Sequence, residues 1–185
     1  MNISACSVLG VVLAGGASSR MGRDKAELPW HDGNLLDTMK TLLRSVCDDV
    51  VVCGRQDGIV DQHRHGGPLL AIQTLLLDAR VQAFDVLLIC AVDTPFLSSA
   101  DLQSLLRETR QRGAAHFQSH YLPLALRVSP SLSATLNSVA QQALPSQRSL
   151  HGFLQQWDTA VLELAPEQQA RFVNLNTPEL YQRYR

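Results

Sequence analysis

Apolar runs alternate with helical stretches through the first half of the chain. Residues 8–14 (VLGVVLA) read as a buried strand that runs straight into Gly15-Gly16. Behind Asn34, a natural N-cap, the apolar positions Leu35, Leu36, Met39, Leu42, Leu43 and Val46 recur at helical spacing, which predicts a helix over 34–47. Residues 50–53 give a short second strand, and 68–79 a helix opened by Pro68 in its first turn. A third buried strand over 86–92 (VLLICAV) ends in Asp93-Thr94-Pro95, and a helix follows over 98–112. The second half is less regular. Residues 121–128 predict a strand, and Pro123 near its start suggests a sheet edge because proline donates no ladder hydrogen bond. Residues 131–142 and 148–157 predict helices, 159–164 and 172–175 strands, and 178–184 a closing helix. The alternation predicts a three-layer α/β fold with a mainly parallel central sheet. The 185 residues, without repeat or low-complexity tract, fit one domain over 1–185.

Composition narrows the function classes. Hydrophobic residues make up 45% and charged residues 18%, enough for a core and too little charge for a disordered chain. Lys and Arg number 16 against 17 Asp and Glu, so no basic excess exists to bind nucleic acid or an anionic membrane. Apolar runs stop short of the roughly 18 residues of a membrane span, and the first residues lack the basic stretch of a secretory signal. A cytoplasmic location is expected. Cys6, Cys47, Cys53 and Cys90 lack the short spacings of a zinc site or disulfide framework and read as reduced structural thiols.

Candidate chemistry begins where the first strand ends, at Leu13-Ala14-Gly15-Gly16. Small residues there let backbone N–H groups approach an anion, and Arg20, Arg23 and Lys25 follow around Gly22. Such a loop suits a triphosphate, with arginine forking onto oxygens and lysine acting as a point charge. Its spacing fits neither the Walker loop nor the dinucleotide fingerprint. Asp93 stands at the end of the third strand, where open α/β sheets bind ligands, and a lone carboxylate there is a natural Mg²⁺ ligand. As an alternative, Asp93 caps its own turn. Asp61 precedes Gly66-Gly67-Pro68, a turn that exposes a helix N-terminus to an anion. Asp61 could accept hydrogen bonds from a sugar or a purine edge, or be a solvated turn residue. The pairs His63/His65 and His116/His120 lack companion metal ligands, and no G-x-S-x-G elbow is present.

With these residues in place, the chain resembles the molybdenum cofactor guanylyltransferase family of MobA-like nucleotidyltransferases. The likeness rests on Leu-Ala-Gly-Gly-x-x-x-Arg-Met-Gly with Lys25 downstream, on Asp93-Thr94-Pro95, on Gly67-Pro68-Leu69, and on Asn174-Leu175-Asn176-Thr177-Pro178-Glu179. It implies a Rossmann-like nucleotidyltransferase fold. It also implies that Leu13, Ala14, Gly15, Gly16, Gly22, Lys25, Asp61 and Asp93 bind the nucleotide, that Arg20, Lys25 and Asp93 act in catalysis, and that Asp93 holds Mg²⁺. Gly67, Asn174, Asn176 and Arg148 would face molybdopterin. The chain departs from the family's usual pattern at Cys53, where Asn is common, at Ala71, where Gly is usual, and at Tyr121-Leu122-Pro123, where the approach to the proline is more polar. Residues 55–61 are also too few for a further strand.

The resemblance implies transfer of GMP from GTP to the terminal phosphate of molybdopterin, with release of pyrophosphate. That phosphate monoester, with a second pKa of about 6, is already anionic at neutral pH and needs no strong base. The task is to position polyanions and neutralise their charge. Two alternatives stay open. One is a cytidylyltransferase of the same pterin using CTP; the other is a nucleotide-binding accessory protein of cofactor delivery that has lost transfer. Molybdenum cofactor insertion proteins or molybdoenzymes stand as candidate protein partners.

Overall fold

The computed structural model describes residues 6–15, 23–61, 66–142 and 149–185. Its centre is a six-stranded sheet built from β1 (Val8–Leu13), β4 (Asp49–Cys53), β5 (Val86–Ala91), β6 (Ala114–Phe117), β7 (His120–Arg127) and β8 (Thr159–Leu162), in the order β4-β1-β5-β7-β6-β8. Only β7 runs against its neighbours. A small hairpin of β2 (Pro29–Trp30) and β3 (Gly33–Asn34) precedes helix α1 (Leu35–Arg44). The expected Asn34 cap is present, its side chain accepting from the Asp37 amide at 2.8 Å.

Because side chains alternate across each strand, the sheet feeds two cores. Leu9 and Val11 of β1, Leu87 and Ile89 of β5, and Leu124 and Leu126 of β7 face one side. There they meet α2 (Gly67–Leu76), α3 (Ala79–Gln82), α5 (Pro130–Ala140) and α6 (Leu150–Leu154). Val12, Leu88, Cys90 and Ala125 face the other, against α1, α4 (Ser99–Thr109) and α7 (Pro178–Tyr184). This is the expected three-layer architecture. Among the described residues no helix is long and apolar enough to cross a membrane.

Under the second layer lies a fully buried carboxylate. Asp101, in the first turn of α4, completes a capping box with Ser98 and receives Nε and Nη2 of Arg171 at 2.9 and 2.8 Å. Gln168, like Arg171 on the 3-10 helix Pro166–Phe172, adds a contact at 3.3 Å. Burial pushes the Asp101 pKa up, but the hydrogen bonds from Arg171 and Ser98 outweigh it and hold the carboxyl below its ordinary value.

The second half corrects three expectations. Strand β7 lies inside the sheet, between β5 and β6, not at an edge. Pro123 is tolerated because the β6–β7 register slips between His116 and Phe117, and the β5 ladder stops at Leu124. No ladder hydrogen bond is therefore asked of it. Residues 172–175, expected as a strand, instead leave the 3-10 helix as extended chain outside the sheet. Strand β6, absent from the sequence reading, fills the place between β7 and β8.

Candidate active site

The chain leaves β1, adds β4 on one side, then crosses to place β5 on the other. That reversal makes the carboxyl ends of β1 and β5 a topological switch point, where open α/β sheets bind ligands. Leu13, Cys53 and Ala91 end their strands in register and form the floor. The backbone continues the pairing one step further, Ala14 N–H donating to Cys53 at 2.9 Å and Val92 N–H to Leu13 at 3.1 Å. Beyond Leu124 the β7 chain is released from β5, which opens a cleft of about 200 Å³ between Leu122 and the strand ends.

Two glycines bring the backbone of the first loop against the turn after β4. Gly54 has φ +94° and packs face to face with Gly15; a Cβ on Gly15 would stand 2.9 Å from the Gly54 Cα. The turn is anchored by Gly54 N–H to Ile59 and Ile59 N–H to Val52, both 2.8 Å. A single bridge between Cys53 and Ile59 stands where residues 55–61 are too few for a further strand. Arg55 clamps the other side of the loop, donating to Asp24 at 2.5 Å and Glu27 at 2.7 Å. Asp24 in turn caps the 3-10 turn Lys25–Glu27 by accepting from Ala26 N–H. Lys25 thus projects from a pinned turn.

The Lys25 ammonium donates to Asp93 at 2.8 Å and to the Asn176 side-chain oxygen at 2.5 Å. Both charged side chains are mostly buried, 17% and 14% exposed. Capping of the Asp93 turn falls to Thr94, whose hydroxyl donates to Ala91 at 2.9 Å, so the Asp93 carboxylate reaches the cleft. Leu175 N–H donates to the Asp93 carbonyl at 2.8 Å and brings Asn176 alongside.

Leu13, Ala14, Gly15, Lys25, Asp61, Gly67 and Asp93 therefore line one cleft, as the sequence motifs suggest. Asn176 joins through Lys25, while Asn174 is exposed and its carbonyl accepts from the Asn176 amide at 2.9 Å. Gly16, Arg20, Gly22 and Arg148 lie outside the described residues, as do His63 and His65. Gly67 opens α2 with φ +78°, and a Cβ there would meet nothing, so the cleft reaches the helix start closely. The N-cap residue, Gly66, supplies no side-chain hydrogen bond to that start, a place where helix amides suit an anion. Cys53 lines the cleft as a neutral thiol: burial, then the Asp61 charge, pushes its pKa up to about 12. Asp24, Gly54 and Arg55 are the residues the sequence reading missed, and only a repeated D-K or G-R pairing against relatives could have flagged them.

The donor set can be tested against a metal. Among the described residues, no group of three or more His, Cys, Asp or Glu converges on one position. A closed protein cage of the zinc kind does not fit. A carboxylate offers about four lone-pair positions, and Lys25 takes one of those on Asp93. One carboxylate beside a phosphate site suits Mg²⁺, which keeps waters and binds substrate phosphates.

Fold and cleft define a nucleotidyltransferase of the Rossmann-like kind. A family profile described as "MobA-like NTP transferase domain" matches residues 10–165, and the chain belongs to that family. It is 39% identical to the molybdenum cofactor guanylyltransferase of Xanthomonas euvesicatoria pv. vesicatoria, over 94% of this chain and 92% of that one. A probable molybdenum cofactor guanylyltransferase of Opitutus terrae is 30% identical, with 97% and 95% covered. Among solved structures, the molybdopterin-guanine dinucleotide biosynthesis protein A of Archaeoglobus fulgidus superposes with a TM-score of 0.70 at 20% identity, covering 95% of each chain. The 2-C-methyl-D-erythritol 4-phosphate cytidylyltransferase of Thermus thermophilus gives 0.64 at 15% identity, covering 92% and 94%, a likeness of fold.

Proposed function

We propose that the protein is a Mg²⁺-dependent guanylyltransferase that moves GMP from GTP to the terminal phosphate of molybdopterin, acting as one domain over residues 1–185 in the cytoplasm. The observation that carries this reading is the Lys25–Asp93–Asn176 cluster at the switch point of the sheet. A cation and a carboxylate stand together there beside Gly15 and the start of α2, which is what polyanion chemistry requires.

An acceptor phosphate oxygen attacks the α-phosphorus of GTP, forming the new P–O bond as the bond to pyrophosphate breaks. Mg²⁺, when bound through Asp93, supplies charge neutralisation on the phosphate oxygens. Lys25 releases part of its hold on Asp93 and donates to the transferring group, a role shared by Arg20. Leu13, Ala14, Gly15, Gly16 and Gly22 present backbone to the phosphates, and Asp61 accepts from the nucleoside. Gly67, Asn174, Asn176 and Arg148 face the pterin side. No His or Ser among the described residues stands in the cleft lining, in keeping with an acceptor that needs no deprotonation.

The test is pyrophosphate release from purified protein with Mg²⁺, molybdopterin and each of GTP, CTP, ATP and UTP. Release with GTP alone is expected. A preference for CTP moves the reading to cytidylyl transfer, and binding of GTP without release in folded protein moves it to an accessory role.

A further inference from the structure

At the carboxyl edge of the sheet, three rings stand in a row just outside the cleft. The Tyr121 ring lies 5.5 Å from that of His116 and 5.1 Å from that of His151. The Tyr121 hydroxyl and His151 Nδ1 share a 2.8 Å hydrogen bond that fixes the phenol. His116 is buried, with Nδ1 held against the carbonyls of Phe117 and His120 at 2.8 and 3.2 Å. Carbonyls only accept, so that nitrogen carries the proton and the ring cannot turn. Tyr121 and His151 are exposed. The row is rigid before any ligand arrives, which lowers the entropy lost on binding.

Its position relates it to the reaction. Tyr121 immediately precedes Leu122, which lines the cleft, and both belong to the β7 segment released from the β5 and β6 ladders. Strand β5 alone separates β1 from β7, so Tyr121 stands about two strand spacings, ~10 Å, across the sheet from β1 and its end at Leu13-Ala14-Gly15. The nucleoside-facing Asp61 and the β4 turn lie on the opposite side of β1. This leaves the β7 side for the other substrate.

We propose that Tyr121 and His151 form a stacking ledge for the fused, nitrogen-containing ring of the acceptor, with its phosphate directed toward Lys25 and Asp93. The proposal rests on the reading of the acceptor as a pterin phosphate. Such a ring is flat, polar at its edge and apolar on its faces, and aromatic side chains hold heterocycles of that kind by their faces. Tyr121 is a binding residue here and takes no part in the bond changes.

The test uses the full chain and a fluorescent probe, 6-hydroxymethylpterin, whose emission is followed on titration with wild type, Tyr121→Leu, Tyr121→Phe and His151→Ala. GTP affinity and thermal melting are measured on each as controls. Tyr121→Leu is expected to weaken pterin binding about tenfold, Tyr121→Phe and His151→Ala about two- to threefold, with GTP affinity unchanged in all. Equal pterin affinity in wild type and folded Tyr121→Leu overturns the ledge, as does failure of wild type to bind the probe. Should wild type bind the pterin in a Tyr121-dependent manner yet release no pyrophosphate from GTP, the ledge stands and the guanylyltransferase reading falls.

Discussion

Two cation–carboxylate pairs in this molecule share a distance and differ in what they leave over. Arg171–Asp101 and Lys25–Asp93 are each 2.8 Å long. Asp101 is saturated: a bidentate arginine, the Ser98 cap and Gln168 use both oxygens, and its side chain has no exposure. Asp93 keeps some exposure and opens on a cleft, and its partner is a lysine, a mobile point charge that can change oxygens without breaking a planar fork. The saturated pair fastens the 3-10 helix to α4; the open pair keeps acceptor positions facing the cleft. The number of acceptor positions already spent, rather than pair distance, separates the two pairs.

Mutations should divide along that line. Lys25→Ala is expected to lower pyrophosphate release by roughly a hundred- to a thousandfold, the usual loss for one charge-stabilising donor, with a melting temperature close to wild type. A turnover near wild type would place the two pairs in one class. Arg171→Ala strands Asp101 without its cation. It should cost about 3 kcal/mol of stability, read from the urea midpoint, while the turnover of the folded fraction is unchanged.

Acid sharpens the contrast. The folded pKa of Asp101 lies below its unfolded value, which is ~3.9. Its contribution to stability is therefore present above that pH and is lost as pH falls through the folded pKa. The stability gap between wild type and Arg171→Ala should shrink as pH drops below about 4, as followed by urea titrations at stepped pH. The smallest effect expected is that of Asn176→Ala, which removes one hydrogen bond from Lys25 but leaves its pair with Asp93. A loss of turnover of about fivefold, near 1 kcal/mol, is expected in the same release assay. A loss as large as that of Lys25→Ala would show that Asn176 acts on the transferring group itself and not only through Lys25 and the pterin side.

The first half of this architecture was legible because its signals are local. VLGVVLA and VLLICAV are buried on both faces and read as strands without their partners, and Asn34 announces α1 by its own side chain. The second half depends on neighbours. AAHF in β6 has two alanines, which carry little β preference, and becomes a strand only because β7 and β8 flank it. Pro123 signals an edge by its missing donor, and a register slip in the ladder at Pro123 itself, set by the partner strand β6, removes the need for that donor. Within the cleft, the glycine loop, Lys25 and Asp93 carried their chemistry in their residue types. The Asp24–Arg55 clamp and the Gly15–Gly54 approach join segments far apart in sequence, and nothing in either segment alone points to the other.

The hydrogen bond from Lys25 to Asn176 closes a span of 151 residues, against 68 for the bond to Asp93. Loop-closure entropy grows only logarithmically, so the longer span costs about 0.7 kcal/mol more than the shorter. For that small difference, the cradle of the Lys25 ammonium is completed by a segment far behind the lysine in the chain. Leu175 completes the same surroundings by docking its N–H beneath the Asp93 carbonyl. Without the segment behind Phe172, the Lys25 ammonium and the Asp93 carbonyl would each lose one of these partners, while every strand of the central sheet ends before it.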